Sequence, residues 1–344
     1  MSGGETVLVT GGSGYIGGWC VASLLQRGYV VRATVRDLAK EGAARAAIAN
    51  IADPGNRLSF HAANLTADAG WDEAAAGCDY VLHVASPLGV ADPKDPNDLI
   101  VPAREGAKRA IGAAIRAGVK RVVMTSSVAA ANKGVGGSDW LSDETVWTDP
   151  QTPKLSAYAL SKTLAERAAW EFVAREGGGL ELSVINPTGV FGPVLGPDFS
   201  GSIEIIKALL DGRMPAVPRI YFGLVDVRDV ADLHLRAMTA PAASGERFIA
   251  VAGETMSILE IAKVLRRELG SAARRVPRFQ APDWVVRLAA RRNPMLRYAL
   301  PMLGKVRRAT SAKARQVLGW TPRSNDEMIL ATAESLIRLG VVKP

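Results

Sequence analysis

In the stretch SAYALSKTLAE, Tyr158 and Lys162 stand four residues apart in a run that reads as helix, so both side chains leave one face. A free phenol has a pKa of about 10 and exchanges protons poorly at neutral pH. A neighbouring ammonium favours the phenolate and lowers that value; bringing it to about 7 takes roughly 4 kcal/mol of differential stabilisation. One desolvated lysine and a positively charged nicotinamide could supply this, letting Tyr158 protonate a carbonyl oxygen as hydride reaches carbon. The run VVMTSSV ahead of that helix puts Ser126 and Ser127 at the carboxyl end of a strand, where ligands gather in open α/β sheets. A hydroxyl there could hold the carbonyl in line with Tyr158. Capping or turn chemistry is the alternative use of either serine.

The nucleotide side rests on TGGSGYIGG, residues 10 to 18, which contains two overlapping patterns. From Gly12 it reads G-x-G-x-x-G; from Gly11 it reads G-x-x-G-x-x-G. It follows a strand and opens a helix, the context in which such glycines let backbone approach a pyrophosphate and helix N–H groups favour its charge. Nucleotide type turns on GYVVRATVRD. NAD-binding chains place an acid at the end of the second strand, whereas this strand ends in apolar Val35. The guanidinium of Arg36, next in sequence, suits a 2′-phosphate. Asp37 could serve NAD instead, but NADP(H) is the favoured expectation over NAD(H); Lys40 and Arg45 read as solvated helix charges or as auxiliary cations.

The elements that must position these residues alternate. Strands are expected at residues 6–10, 29–35, 58–62, 80–84, 121–125 and 181–185, with helices at 17–27, 40–51, 98–117 and 157–175. The strands are too apolar to alternate, as in parallel strands covered on both faces. The expected fold is therefore α/β, a doubly wound parallel sheet of the Rossmann type with a smaller C-terminal substrate domain. The dinucleotide-binding domain is assigned residues 1–190 plus about 224–240. The substrate domain takes about 191–223 and 241–344, including a strand at 247–251 and a basic, proline-punctuated tail. A chain of 344 residues suits one main and one dependent unit.

No run approaches the roughly 18 to 20 apolar residues of a membrane span, and the opening MSGGETVLVT lacks the plan of an export signal. Two cysteines, Cys20 and Cys78, suit a reducing compartment and read as small hydrophobes. A cytoplasmic location is expected. Three scattered histidines make a metal site improbable. The net charge is +8, much of it in Arg274, Arg275, Arg278, Arg287, Arg291, Arg292, Lys305, Arg307 and Arg308. It reads as a solvated helix face or the rim of an oligomer; neither nucleic acid nor membrane is expected as a partner.

With these residues in place, the chain resembles the extended short-chain dehydrogenases/reductases, and within them the dihydroflavonol reductase and aldehyde/ketone reductase branch. The matching stretches are Thr10-Gly11-x-x-Gly14-x-x-Gly17, GYVVRATVRD, GCDYVLHVASP, RVVMTSSV, YALSKTLAE, VDVRDVADLH and LGWTP, spanning residue 7 to about 322. The resemblance selects the second glycine pattern. It implies a triad in which Ser127 orients the carbonyl, Tyr158 is the acid, and Lys162 lowers its pKa and holds the nicotinamide ribose. The implied cofactor set is Gly11, Gly14, Tyr15, Ile16, Gly17, Arg36, Asn64, Leu65, Ala85, Ser86, Tyr158, Lys162 and Pro187. Asn64 departs from the family's aspartate, though its amide oxygen could still accept from the adenine amino group. Ser86, Leu88, Asn132, Phe191 and Phe222 are the expected substrate contacts, within an apolar lining that adds Val90, Val194, Leu195 and Phe199; the alternative for each apolar residue is plain core of the smaller domain. The segment around Asn132 is not that of the flavonoid reductases, which weakens the case for a flavonoid. The implied activity is reversible NADPH-dependent reduction of an apolar or weakly polar aldehyde or ketone by a monomer or homodimer. The alternatives are a nucleotide-sugar epimerase or dehydratase, a 3β-hydroxysteroid dehydrogenase, or a non-catalytic nucleotide sensor.

Overall fold

Alternate residues of the first strand enter opposite cores: Val7 and Val9 pack on one side of the main sheet and Leu8 on the other. Val81 and Leu82, Val122 and Val123, and Val184 and Ile185 divide in the same way. A strand buried on both faces has no polar side to show, which explains the unbroken apolar runs. The computed structural model describes residues 4–87, 93–132, 139–196, 199 and 201–343.

The main sheet holds β1 (Thr6–Thr10), β2 (Val30–Val35), β3 (Leu58–Ala62), β4 (Tyr80–His83), β5 (Arg121–Thr125), β7 (Glu181–Pro187) and β10 (Arg247–Ala250). Their order is β10-β7-β5-β4-β1-β2-β3, every pair parallel. It is a doubly wound Rossmann-like sheet. Helices α1 (Tyr15–Gln26), α2 (Glu41–Ala49) and α7 (Val227–Thr239) cover one face, and α3 (Trp71–Ala75), α4 (Asn97–Arg116) and α5 (Ala157–Glu176) the other. The α4 and α5 faces that meet are built from small residues, among them Ala107, Ala110, Ala114, Ala165 and Ala169, which lets the two helices approach closely.

Outside this sheet, β8 (Gly189–Phe191), β9 (Tyr221–Asp226) and β11 (Ala252–Ser257) form a second sheet, and β6 (Asp139–Ser142) pairs with β12 (Val306–Ala309). The remaining helices are α6 (Gly201–Leu210), α8 (Ile258–Leu269), α9 (Asp283–Ala289), α10 (Pro294–Ala299), α11 (Ala312–Leu318) and α12 (Asn325–Arg338).

One boundary differs from expectation. Residues 247–251 were assigned to the smaller domain, yet β10 is the edge strand of the main sheet, all four residues buried beside β7. Residues 224–240 were assigned to the main domain; β9 pairs with β8 and β11, while its Leu224 and Val225 are buried in the core that α1 and α7 share with the main sheet. Local apolarity marks a strand; which edge it joins depends on the connections around it.

Candidate active site

At the end of β1, Gly11 turns with φ +70° and donates its N–H to Thr34 Oγ1 at 3.0 Å. Helix α1 then starts at Tyr15 with Gly14 as its N-cap and no side-chain cap, so its first N–H groups face outward unsatisfied. A Cβ at Gly17 would lie 2.2 Å from the Gly11 carbonyl oxygen, an impossible contact. At Gly14 a Cβ would meet only that same oxygen, at 3.2 Å. The chain's own packing forbids a side chain at Gly17. At Gly14 the demand comes mainly from the space beyond the protein, a cradle a Cβ would fill and a pyrophosphate fits. Tyr15 donates its hydroxyl to the Gly192 carbonyl at 2.8 Å, so burial there makes it a brace.

Beyond β2, Arg36 is exposed and carries no hydrogen bond or ion pair among the described residues. Asp37 is engaged: its carboxylate accepts the Ala39 N–H at 2.9 Å, capping the short turn that follows. At this strand end an exposed cation without a bond to the described residues thus stands beside an acid that caps its own turn through one oxygen. Arg45 is no helper, because its guanidinium binds Glu41 at 3.1 Å and the Leu58 carbonyl at 2.9 Å and lies 5.6 Å from the Phe60 ring centre. The adenine-side expectation for Asn64 also changes. Its Oδ1 already accepts both the N–H and the O–H of Thr66, each at 3.1 Å, which leaves the Nδ2 donor as the group to offer. Leu65 packs under α4 at Gly106, where a Cβ would come within 2.5 Å of it.

At the centre of the sheet, Thr10 Oγ1 accepts the Ala85 N–H at 3.0 Å and bonds His83 Nδ1 at 3.0 Å, tying the ends of β1 and β4 together. His83 is buried; desolvation, and then the charge of Lys162, push its pKa down to about 4. It is therefore neutral at physiological pH, and it is near enough to Lys162 to be influenced by its charge. Sequence reasoning passed over it as one of three scattered histidines. Ala85 packs against Gly11, and Ser86 follows, half-buried.

Helix α5 begins with Ser156 as N-cap, accepting the Ala159 N–H at 3.2 Å, so Tyr158 sits in the first turn and Lys162 one turn on. Lys162 is 6% exposed, and no hydrogen bond or ion pair among the described residues reaches its ammonium. Burial pulls its pKa down to about 8, opposed by the charge of Glu166. A buried cation without a partner is costly and marks a place built for something else. One further turn down, Glu166 is fully engaged by Ser126 Oγ at 2.5 Å, Asn186 Nδ2 at 2.8 Å and Arg247 Nε at 2.5 Å. Arg247 also donates to the Glu144 and Val146 carbonyls and lies 3.8 Å from the Trp147 ring centre. This cluster ties α5 to the ends of β5 and β7, where Asn186 also holds the Ser127 carbonyl at 3.1 Å and precedes Pro187. It separates the two serines. Ser126 is committed to Glu166, whereas Ser127 Oγ accepts the Ala129 N–H at 3.1 Å and keeps its O–H to donate. Glu166 was readable in part, being eight residues after Tyr158 in YALSKTLAE; Arg247, eighty-one residues away, was not.

The expected substrate contacts fare unevenly. Leu88 and Val90 lie outside the described residues. Phe191 is fully buried and Val194 2% exposed, both in the core, so neither lines a cleft. Phe222, Leu195 and Phe199 are half-buried against that core. Asn132 is half-buried just past the turn that follows Ser127, its N–H on Thr148 Oγ1 at 2.9 Å. Cys20 and Cys78 are buried free thiols, their pKa values pushed up by burial to about 12 and about 11. Among the described residues no three His, Cys, Asp or Glu side chains gather as a metal site, and no helix is long and apolar enough to cross a membrane.

Comparison with known proteins places this geometry. The NAD dependent epimerase/dehydratase family matches residues 7–253. A cinnamoyl-CoA reductase of Medicago truncatula is 40% identical over 248 residues, 70% of this chain and 74% of that protein. A (2S)-flavan-3-ol-forming anthocyanidin reductase of Vitis vinifera is 34% identical over 295 residues, 81% of this chain and 83% of that protein. Among solved structures, the yeast methylglyoxal/isovaleraldehyde reductase Gre2 complexed with NADPH superposes with a TM-score of 0.81 at 25% identity. That match covers 98% of this chain and 99% of the other.

Proposed function

Because the chain belongs to the NAD dependent epimerase/dehydratase family, its reductase relatives bear on its chemistry, and we propose that it reduces an aldehyde or ketone to the alcohol. It is an oxidoreductase whose nucleotide is NADP(H). The observation that carries the proposal is Lys162, a buried ammonium without a hydrogen-bond or ion-pair partner among the described residues, one turn from a tyrosine and beside the strand ends where α/β sheets bind ligands.

Bound NADPH supplies a hydride to the carbonyl carbon. Tyr158 gives its phenolic proton to the carbonyl oxygen, so the carbonyl gains two electrons and two hydrogens and the phenolate is left to be reprotonated from water. Lys162 favours that phenolate and is placed to hold the nicotinamide ribose through the donors it does not use internally. Ser127 donates its free O–H to the same carbonyl oxygen, fixing its line to Tyr158. Arg36 takes the 2′-phosphate, and the start of α1 takes the pyrophosphate. The reaction runs toward oxidation when alcohol and oxidised nucleotide are supplied. The substrate is apolar or weakly polar, and the two buried free thiols support a reducing, cytoplasmic setting.

The test is loss of reduced-nicotinamide absorbance across a panel of aldehydes and ketones, with NADPH and NADH in parallel. NADPH should support turnover and NADH far less. Tyr158→Phe should lower kcat by about 10²- to 10⁴-fold while NADPH still binds. Intact turnover in Tyr158→Phe, or equal rates with both nucleotides, would overturn the assignment of roles. A purified protein carrying tightly bound NAD and turning over a nucleotide sugar would place it with the epimerases of its family.

A further inference from the structure

The segment between α8 and α10 concentrates two features that soluble surfaces normally keep apart. Residues 274–292 contain six arginines (Arg274, Arg275, Arg278, Arg287, Arg291 and Arg292) against one acid, Asp283. That acid is already paired with Arg219 at 2.7 Å. All six arginines are exposed, and none makes a side-chain hydrogen bond or ion pair among the described residues. Between them stand Phe279, 73% exposed, Trp284, 68% exposed, and Leu288, 54% exposed. Phe279 and Trp284 are the strongly exposed aromatics among the side chains described.

These side chains ride on an anchored backbone. The Val217 N–H bonds the Phe279 carbonyl at 3.0 Å, and the Ala281 N–H bonds the Val217 carbonyl at 2.8 Å. Val276, Val286 and Ala290 are buried beneath. On α9 the inward face carries Val286 and Ala290, four apart, whereas Trp284 and Leu288, also four apart, point outward with Arg287 and Arg291 beside them. The helix is thus apolar on two sides, and one of them is exposed among the described residues.

We propose that this face docks on an anionic phospholipid surface. The arginines supply attraction to the headgroups, and Trp284, Leu288 and Phe279 enter the boundary with the acyl chains, the division of labour of interfacial helices. Charge argues against a second copy of the chain: a two-fold contact here would press six arginines on six with no free acid between them. A nucleic-acid duplex would satisfy the arginines but has no phase for an aliphatic side chain such as Leu288. The inference does not depend on the reaction assigned above, and the substituted positions lie outside the residues given roles in it.

The experiment is co-sedimentation of the full chain with vesicles of phosphatidylcholine alone or mixed with phosphatidylglycerol, at low and physiological salt. Binding should be at least tenfold stronger to the anionic vesicles and should weaken with salt. Arg287→Gln with Arg291→Gln, and separately Trp284→Ser with Leu288→Ser, should each lower it about tenfold or more. Thermal melting and NADPH turnover should stay at wild-type values, showing that the fold is intact. The proposal fails if the chain does not sediment with anionic vesicles or if both double variants bind as wild type. It also fails if a DNA duplex is preferred at equal salt, or if Trp284→Ser dissolves a dimer seen by sedimentation velocity.

Discussion

Lys162 and Glu166 occupy successive turns of one face of α5, both buried, and their surroundings are opposite. Glu166 accepts from a serine, an asparagine and an arginine; Lys162 accepts no such company among the described residues. A buried charge with all its partners is scaffold, holding α5 against β5 and β7. A buried charge with none is a site, because the protein carries its desolvation cost until a ligand offsets it. The comparison divides the helix into a half that reacts and a half that positions.

The sharpest way to break it is by stability. Glu166→Ala leaves Arg247 buried without its carboxylate and should cost about 3–5 kcal/mol in denaturant unfolding. Lys162→Met, of similar length and no charge, should cost nothing or stabilise, while abolishing turnover. Equal destabilisation by the two would erase the distinction.

The next effect is in pH. The Lys162 pKa is about 8 in the folded chain against 10.5 in an unfolded one. Below pH 8 both states hold the proton and the burial penalty is fully present. Between pH 8 and 10.5 the unfolded state binds more protons, so stability rises with pH. Relative to Lys162→Met, the wild type should gain up to about 3 kcal/mol across that window. His83 and His234 set the acid side. Each has its pKa lowered to about 4 from 6.5, chiefly by desolvation, so their contribution is present above pH 6.5 and lost as pH falls toward 4. Thermal midpoints measured from pH 4 to 10.5 test both ends, and a flat profile would contradict the assigned environments.

The smallest effect extends the same division to the end of β2. Arg36→Ala should raise the KM for NADPH by about 10- to 100-fold and leave that for NADH unchanged. Asp37→Ala removes a cap and should cost about 1 kcal/mol of stability without changing nucleotide preference. A shift toward NADPH on removing Asp37 would show that its carboxylate reaches the ribose after all.

Much of the fold was readable because its signals are local. Apolar runs too continuous to alternate mark doubly covered strands, and glycines between a strand and a helix mark a loop that must bring backbone close to a ligand. Tyr158 and Lys162 were readable because helical spacing alone puts them on one face. The errors share a different cause. Phe191 looks the same in sequence whether it lines a cleft or fills a core. That the Asn64 Oδ1 and the Arg45 guanidinium are engaged by Thr66, Glu41 and Leu58 was equally invisible in the spacing. The strand at β10 was recognised but placed in the wrong sheet. Outcomes of this kind depend on neighbours far along the chain.

From the order of residues alone came the parallel sheet, the glycine loop and the pairing of a phenol with an amine, since each follows from backbone geometry over a few positions. Only the folded chain decided which charges found partners: Glu166 with Arg247, Asp37 with its own turn, Lys162 and Arg36 with none among the described residues. Side chains compete in three dimensions for a limited set of donors and acceptors. The result of that competition is not written in the spacing of the competitors.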